Sequence, residues 1–307
     1  GNQFLWGYDP NQDAELEACF RRAVELGLLF FDTADSYGTG RFAGRSETLL
    51  GRFCAALDPA QRQALTVATK LAPFPWRLGR TGLRRALQAS RGRLQGKLER
   101  VQLHWSTARY APWQEMPLLD GLADAVIAGE VAELGVSNMG PLRLAQVQSR
   151  LAARGVELRS LQVQASLLAP EPFRPGGLAE RCRALGIELI AYSPLALGLL
   201  CRPPGALPPL PPGPRGLLFR RLWPAIQPLL TAMASIADSR RATQAEVALN
   251  WCRGHGALPI PGIRSVAQAD MAAAALRWSL NPQELRSLDR LALEGSARMP
   301  ANPFGSA

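Results

Sequence analysis

The stretch Gly27-Leu28-Leu29-Phe30-Phe31-Asp32 is a short apolar run that ends in a carboxylate. Its apolar residues follow one another without alternation, which predicts a strand covered on both faces. Strands of this kind are typical of parallel sheets flanked by helices, as in an α/β barrel or a doubly wound sheet. The run therefore predicts the α/β class for this chain.

Similar apolar runs recur along the chain, and amphipathic helix patterns separate them. Most strand ends are about 30 residues apart, which is the length of one βαβ unit. The predicted strands cover residues 28–32, 65–70, 100–104, 133–137, 161–164, 188–192 and 258–260. The predicted helices between them cover residues 14–26, 46–57, 83–94, 113–128, 142–153 and 178–185. This alternation predicts a parallel sheet.

The chain has 307 residues and 47% hydrophobic content, so it can bury a large core. Because α/β barrels of this length are commonly one domain, we predict a single domain over residues 1–307. A stretch rich in proline and glycine follows the strand that ends at Tyr192. It predicts a loop insertion at about 196–223, at the strand end where parallel barrels carry their sites.

The formal charge of +10 comes from scattered arginines rather than from a block of basic residues. This pattern favours a solvated basic surface suited to an anionic ligand; the alternative, a nucleic-acid partner, lacks a motif and a basic stripe. The sequence has no apolar run long enough to predict a membrane span. Its five cysteines are odd in number and lack metal-ligand spacing, which predicts a reducing compartment and no metal site.

Polar residues stand at the carboxyl ends of the predicted strands, where barrel enzymes carry their active sites. They are Asp32, Lys70, His104, Ser137, Asn138, Gln164, Tyr192 and Ser193, and Tyr37 follows Asp32 by five positions. Lys70 is one of two lysines among 35 basic residues, which favours a lysine kept for its tunable ammonium group. The alternative is a lysine whose stem merely packs at a strand end.

Short motifs occur in a fixed order along the chain. They are Phe31-Asp32-Thr33-Ala34-Asp35-Ser36-Tyr37-Gly38 with Ser46-Glu47, Ala68-Thr69-Lys70, Gln102-Leu103-His104-Trp105, Gly135-Val136-Ser137-Asn138, Tyr192-Ser193-Pro194-Leu195 and Pro259-Ile260-Pro261-Gly262. This ordered set resembles the aldo-keto reductase superfamily, and within it the plastid-type oxidoreductases of plants, algae and cyanobacteria. The resemblance implies a (β/α)8 TIM-type barrel. We expect this chain to lack the first barrel strand, since relatives carry one ahead of the segment equivalent to residues 1–10.

The resemblance implies a catalytic tetrad of Asp32, Tyr37, Lys70 and His104. Carbonyl reduction leaves negative charge on oxygen, so a donor must deliver a proton to that atom. Tyr37 is the expected acid, and the Lys70 ammonium lowers the cost of forming its phenolate. Asp32 is expected to hold the ammonium, and His104 to orient the carbonyl oxygen.

The resemblance also implies NADPH as the cofactor. The residues expected to bind it are Ser137, Asn138, Gln164, Tyr192, Ser193, Pro194, Leu195, Gly198, Gly262, Arg264, Ser265 and Gln268. Tyr192 could stack on the nicotinamide, while Ser137, Asn138 and Gln164 could bond its carboxamide. Arg264 and Ser265 precede a predicted helix, where a cation and free amides suit a phosphate. The alternative there is an ordinary capped helix beside a surface arginine.

The sequence hypothesis is therefore an NADPH-dependent reductase of an aldehyde or ketone, with a small carbonyl compound as its partner. A second hypothesis is an NADPH-binding regulatory or scaffold barrel with little turnover. The resemblance implies a plastid (chloroplast) location, with the cytoplasm as the alternative. Met271 and Ala272 stand where the family usually carries a glutamate and an asparagine that grip adenine, so adenine binding is expected to differ.

Overall fold

The computed structural model describes residues 10–38, 44–303 and 305–306. Its strands are β1 (Phe30–Asp32), β2 (Thr66–Leu71), β3 (Arg100–Leu103), β4 (Glu133–Ser137), β5 (Leu158–Gln164), β6 (Glu188–Tyr192) and β7 (Leu258–Ile260). Its α-helices are α1 (Asp13–Glu25), α2 (Arg45–Ala55), α3 (Pro59–Ala64), α4 (Gly79–Arg93), α5 (Pro112–Ile127), α6 (Pro141–Ala152), α7 (Leu178–Ala184), α8 (Pro214–Leu222), α9 (Gln227–Arg240), α10 (Gln244–Gly254), α11 (Val266–Ala274) and α12 (Pro282–Glu294). All seven predicted strands and the six helices predicted between them are confirmed, most with ends shifted by a few residues.

The sheet runs in the order β1-β2-β3-β4-β5-β6-β7, so each strand pairs with the next one along the chain. The pairs from β1 to β5 and the pair of β6 with β7 are parallel. A doubly wound sheet would reverse its order at a switch point, whereas a TIM-type barrel does not. The strand order therefore confirms the TIM-type α/β topology. Residues 1–9, ahead of which relatives are expected to carry a first strand, lie outside the described residues.

The strands form where apolar and β-branched residues follow one another. In β2, Val67, Ala68, Thr69 and Lys70 are all buried. Helix α4 buries Leu83, Ala86, Leu87 and Ser90, the i, i+3, i+4, i+7 stripe of a helix that packs along one face. This burial on both sides explains the continuous apolar runs in the sequence.

The chain divides into two compact units. The first comprises residues 1–162, 264–266 and 303–307, and it carries β1 to β4. The second comprises residues 163–263 and 267–302, and it carries β6 and β7. The single domain over 1–307 stays a prediction.

The proline-rich stretch at about 196–223 is only partly a loop. A 3-10 turn covers Ala196–Cys201, and α8 covers Pro214–Leu222. Helix α8 forms because Pro214 stands in its first turn, where a missing N–H costs nothing, and Phe219 and Leu222 bury one of its faces. The helical end of this stretch is a departure from the predicted loop.

Two helices of the second unit begin with capping boxes. Thr243 and Glu246 form a capping box at α10, and Asn281 and Glu284 form another at α12, which also has proline in its first turn. These reciprocal bonds satisfy backbone N–H groups that a helix start leaves open. Within the described part of the chain, none of the helices combines the length and apolarity needed to cross a membrane.

Candidate active site

The four residues of the predicted tetrad lie at the carboxyl ends of neighbouring strands in the first unit. Asp32 ends β1, Lys70 stands near the end of β2, and His104 directly follows β3. Tyr37 lies on the short segment after β1, whose backbone bonds to β2 through the Asp35 N–H and the Lys70 carbonyl at 3.0 Å. The parallel register brings these strand ends to one edge of the sheet.

Asp32 and Lys70 form a buried ion pair, with the Lys70 side chain 1% exposed. One Asp32 oxygen accepts from the ammonium, and the other, Oδ1, accepts from Gln102 Nε2 at 3.1 Å and Gln162 Nε2 at 2.9 Å. Burial acts to lower the pKa of Lys70, but the charge and hydrogen bonds of Asp32 and Tyr37 outweigh it, so the pKa is raised. The lysine is therefore held charged.

Tyr37 lies against this pair. The Lys70 Nζ is 5.1 Å from the centre of the Tyr37 ring, and the His104 ring meets it edge-on at 5.8 Å. Burial raises the pKa of Tyr37, whereas the Lys70 charge and hydrogen bond lower it, and burial prevails. The phenol thus carries its proton at neutral pH, beside a cation that favours losing it.

His104 completes the cluster. Its backbone carbonyl accepts from Asn138 Nδ2 at 3.1 Å, and Ser36 Oγ lies 3.3 Å from its Nδ1. Burial, aided by the Lys70 charge, holds the pKa of His104 well below its usual value of 6.5. The imidazole is therefore neutral and suited to hydrogen bonding rather than to carrying charge.

The segment that carries Tyr37 is fixed to the loop after β2. The buried Asp35 carboxylate accepts from the Ala72 N–H at 3.1 Å and from the Arg77 guanidinium. Arg77 also donates to the Ala72 carbonyl at 2.7 Å, and its guanidinium lies 5.0 Å from the centre of the Phe74 ring. These bonds position the Tyr37 segment against the end of β2.

An aromatic cluster lies on the loops that follow β2 and β3. Phe74 stacks on Trp76 at 4.6 Å and meets Trp105 edge-on at 6.1 Å. Trp105 neighbours His104 at 5.0 Å between ring centres, and its indole N–H donates to the Tyr110 hydroxyl at 2.8 Å. Because Trp76 is 72% exposed, this cluster presents an aromatic face to solvent beside the tetrad.

Two residues expected to bind the cofactor lie in the same unit as the tetrad. Ser137 ends β4, and its hydroxyl donates to the Gln162 carbonyl at 2.9 Å. The same Ser137 hydroxyl accepts from Asn138 Nδ2 at 3.1 Å. Asn138 has φ 59°, a left-handed conformation that asparagine tolerates well. Both side chains are buried beside His104 and Gln162.

Other expected cofactor residues lie in the second unit. The Tyr192 hydroxyl accepts from Asn302 Nδ2 at 2.6 Å, and Gln164, which ends β5, is half-buried. The segment with Ser193, Pro194, Leu195 and Gly198 forms tight turns in which Ser193 and Gly198 have φ 53° and φ 92°. Gly262 is exposed, and so is Gln268 in the first turn of α11.

Arg264 and Ser265 directly precede α11, as predicted, and Arg264 is exposed. A cation and a hydroxyl are thereby placed at the start of a nine-residue helix. Helix starts favour anions because their N–H groups point outward along the axis.

Sequence reasoning missed Gln102, Gln162, Ser36 and Asp35 as members of the cluster. Gln162 could have been predicted from the sequence, because it stands two positions before Gln164 and therefore lies on the same face of the strand. Gln102 likewise stands two positions before His104. Ser36 and Asp35 stand within the motif around Asp32, but nothing in the sequence assigns either of them a role. Across residues 10–38, 44–303 and 305–306, no group of three or more His, Cys, Asp or Glu is placed to hold a metal ion.

Comparison with known proteins places this chain in a family. The model of the aldo/keto reductase family matches residues 1–293. The chain therefore belongs to the aldo/keto reductase family, and the resemblance stated from its motifs is confirmed. The enzyme class predicted from sequence, a reductase, is confirmed with it.

The relatives include reductases of different substrates. The chain is 45% identical over 307 residues to the chloroplastic pyridoxal reductase of Arabidopsis thaliana, covering 99% of this chain and 84% of the relative. It is 30% identical over 270 residues to the 6-dehydroglucose reductase of Novosphingobium aromaticivorans, covering 85% and 80%. Among solved structures, a Klebsiella pneumoniae aldo/keto reductase in complex with NADP and acetate matches with TM-score 0.74 at 25% identity, covering 97% and 92%. These relatives favour an enzyme over a scaffold barrel.

Proposed function

We propose that this chain is an NADPH-dependent reductase that converts an aldehyde or ketone to an alcohol. The observation that carries the proposal is a continuous series of contacts that runs from the buried Asp32 carboxylate to Lys70, then to Tyr37 and then to His104. A phenol, an ammonium and a neutral imidazole side by side suit one task, which is to stabilise and protonate an oxygen that gains negative charge.

NADPH fits the groups that this chain offers. An anionic phosphate suits Arg264 and Ser265 at the start of α11, and the half-exposed Tyr192 ring suits a flat heterocycle. Nothing would contact a Cβ added at Gly262, so its backbone is open to a close approach. Ser137, Asn138 and Gln164 would bond the carboxamide, and Ser193, Pro194, Leu195, Gly198 and Gln268 would line the remaining cofactor. The Klebsiella pneumoniae relative, bound to NADP, supports this choice.

NADPH, when bound, supplies the hydride. The residues of the chain then handle the proton and the charge. Tyr37 donates its phenolic proton to the carbonyl oxygen, and the Lys70 ammonium stabilises the phenolate that remains. Asp32 keeps Lys70 charged and in place. Gln102 and Gln162 fix the Asp32 carboxylate in turn, because they donate to the carboxylate oxygen that does not bind Lys70. His104 donates a hydrogen bond that orients the carbonyl oxygen.

The substrate class that we propose is an aldehyde on a planar aromatic ring. Phe74, Trp76 and Trp105 offer ring faces and edges next to His104. Aromatic rings prefer stacked or edge-on neighbours, with a gain of about 1 kcal/mol beyond burial. The pyridoxal reductase among the relatives is named for such an aldehyde. Its chloroplastic name is also the support for proposing a plastid location for this chain.

The test is NADPH oxidation, followed by absorbance, with pyridoxal and with a small aliphatic aldehyde. We expect turnover that Tyr37→Phe abolishes while NADPH still binds, as measured by quenching of protein fluorescence. The proposal is wrong if Tyr37→Phe turns over as fast as the unchanged protein. NADPH binding without turnover on any aldehyde would instead favour the scaffold hypothesis.

A further inference from the structure

Ser36 stands directly before Tyr37, and its side chain reaches the His104 ring. The Ser36 hydroxyl oxygen lies 3.3 Å from His104 Nδ1. The His104 backbone is fixed by Asn138, and its ring edge is fixed against Tyr37. Among the described residues, Ser36 is the hydrogen-bonding partner of the His104 ring nitrogens, and it is therefore placed to control where the ring proton lies.

A neutral imidazole carries one proton, on either Nδ1 or Nε2, and the partner of one nitrogen decides which. The charged and titratable groups nearby are the Lys70 ammonium, the Tyr37 phenol and the Asp32 carboxylate, which is already paired with Lys70. Burial and the Lys70 charge keep His104 neutral. What can still vary at neutral pH is the position of the proton.

A substrate carbonyl oxygen only accepts hydrogen bonds, so the ring nitrogen that meets it must carry a proton. If Nδ1 held the proton, it would donate to Ser36, and Nε2 would repel the carbonyl oxygen. If the Ser36 hydroxyl donates to Nδ1, Nε2 holds the proton and can donate. Only the second arrangement serves carbonyl reduction.

We propose that Ser36 is a positioning residue that donates its hydroxyl proton to His104 Nδ1 and so keeps the ring proton on Nε2. This inference rests on the proposed function and deepens it. Ser36 and Tyr37 share one short segment, and Asp35 bonds that segment to Ala72 and Arg77. The same segment thus presents the acid and sets the hydrogen-bonding direction of its neighbour.

The chain has only two histidines, His104 and His255, which makes a direct test practical. Nitrogen-15 labelling of histidine yields two rings, and His255→Gln assigns them. The couplings and shifts of the ring nitrogens show which one carries the proton. We expect His104 with its proton on Nε2 in the unchanged protein, and a shift toward the Nδ1 form in Ser36→Ala. A proton on Nδ1 in the unchanged protein, or the same tautomer in Ser36→Ala, would overturn the inference.

The kinetic readout separates positioning from folding. We expect Ser36→Ala to lower kcat by about 2- to 10-fold, the range for one neutral hydrogen bond, with unchanged NADPH affinity. Ser36→Thr keeps the hydroxyl and should retain both the His104 tautomer and most of kcat. If Ser36→Ala does not fold, Ser36→Thr provides the test, and a changed tautomer in that variant contradicts the inference. Ser149→Ala, at an exposed position on α6, is the matched control. Unchanged kcat in Ser36→Ala would overturn the role.

The two proposals fail in different ways. Absence of turnover on every aldehyde would refute the proposed function, while the nitrogen-15 spectrum would still report the His104 tautomer. An active enzyme with the proton on Nδ1 would refute the role of Ser36 and leave the reductase proposal intact.

Discussion

Arg77, on the loop after β2, forms an ion pair with Asp35, and the two side chains hold the Tyr37 segment to the end of that strand. Burial raises the pKa of Asp35, and the Arg77 charge opposes that shift without cancelling it. The guanidinium also bonds the Ala72 carbonyl and lies over the Phe74 ring. One arginine therefore links the position of the proposed acid to the aromatic cluster.

We expect Arg77→Lys to destabilise the protein although it keeps the charge. An ammonium is a compact point charge, so a lysine cannot bond Asp35 and the Ala72 carbonyl and also cover the Phe74 ring as the planar guanidinium does. Loss of these contacts should lower the free energy of unfolding by about 1–3 kcal/mol, measured by urea denaturation. Arg80→Lys, at an exposed pair with Asp124, is the matched control and should leave stability close to unchanged. Equal effects of the two changes would contradict this account of Arg77.

Variants of Lys70 separate its structural role, the pairing with the Asp32 charge, from its proposed role in catalysis beside Tyr37. Lys70→Met leaves the buried Asp32 carboxylate without its cation, so we expect a loss of about 3–5 kcal/mol in stability. Adding Asp32→Asn removes the unpaired charge and should recover most of that loss, as followed by urea denaturation. Turnover should stay absent in both variants, because neither restores the ammonium beside Tyr37.

The control for this pair of variants is the second lysine. Lys97 is buried and pairs with Glu99 at 2.8 Å, but it precedes the amino end of β3, whereas His104 follows the carboxyl end of that strand. Lys97→Met should keep kcat whatever it does to stability. Recovery of turnover in the Asp32→Asn, Lys70→Met double variant would show that Lys70 has no chemical role.

The strands, and the placement of Asp32, Lys70 and His104 at their carboxyl ends, could be predicted because they depend on patterns along the chain. The apolar run before Asp32 and the run before Lys70 reflect burial on both faces of a strand, and burial is what the sheet requires. Ser36 and Asp35 could not be assigned a role, because their partners lie on other strands and loops. The contact of Ser36 with His104 joins residues 68 positions apart. The proline-rich sequence that precedes α8 predicts a loop there, whereas Pro214 begins a helix.

The aromatic cluster should contribute more to the binding of aromatic aldehydes than to the binding of aliphatic ones. Trp76 is 72% exposed and stacks on Phe74, so Trp76→Ala removes a ring face at little cost to folding. We expect KM for pyridoxal to rise about 5- to 10-fold, which corresponds to roughly 1 kcal/mol of stacking, with KM for a small aliphatic aldehyde unchanged. Trp113→Ala, at a position 69% exposed on α5, is the matched control. A parallel rise for both aldehydes would refute the substrate class.

The depressed pKa of His104 predicts a pH dependence of stability. Burial and Lys70 keep the folded imidazole neutral at pH values where the unfolded one, with a pKa near 6.5, takes up a proton. Below that pKa the unfolded state binds more protons, so the free energy of unfolding falls as the pH falls toward the folded pKa, by at most about 1.4 kcal/mol per pH unit. His104→Gln lacks this contribution and should show a shallower acid slope in urea denaturation at pH values on either side of 6.5. The change leaves His255 and its pairing with Asp289 in place, so the comparison isolates His104. A steeper slope in His104→Gln would mean that the folded protein protonates His104 readily, which would contradict its role as a neutral donor.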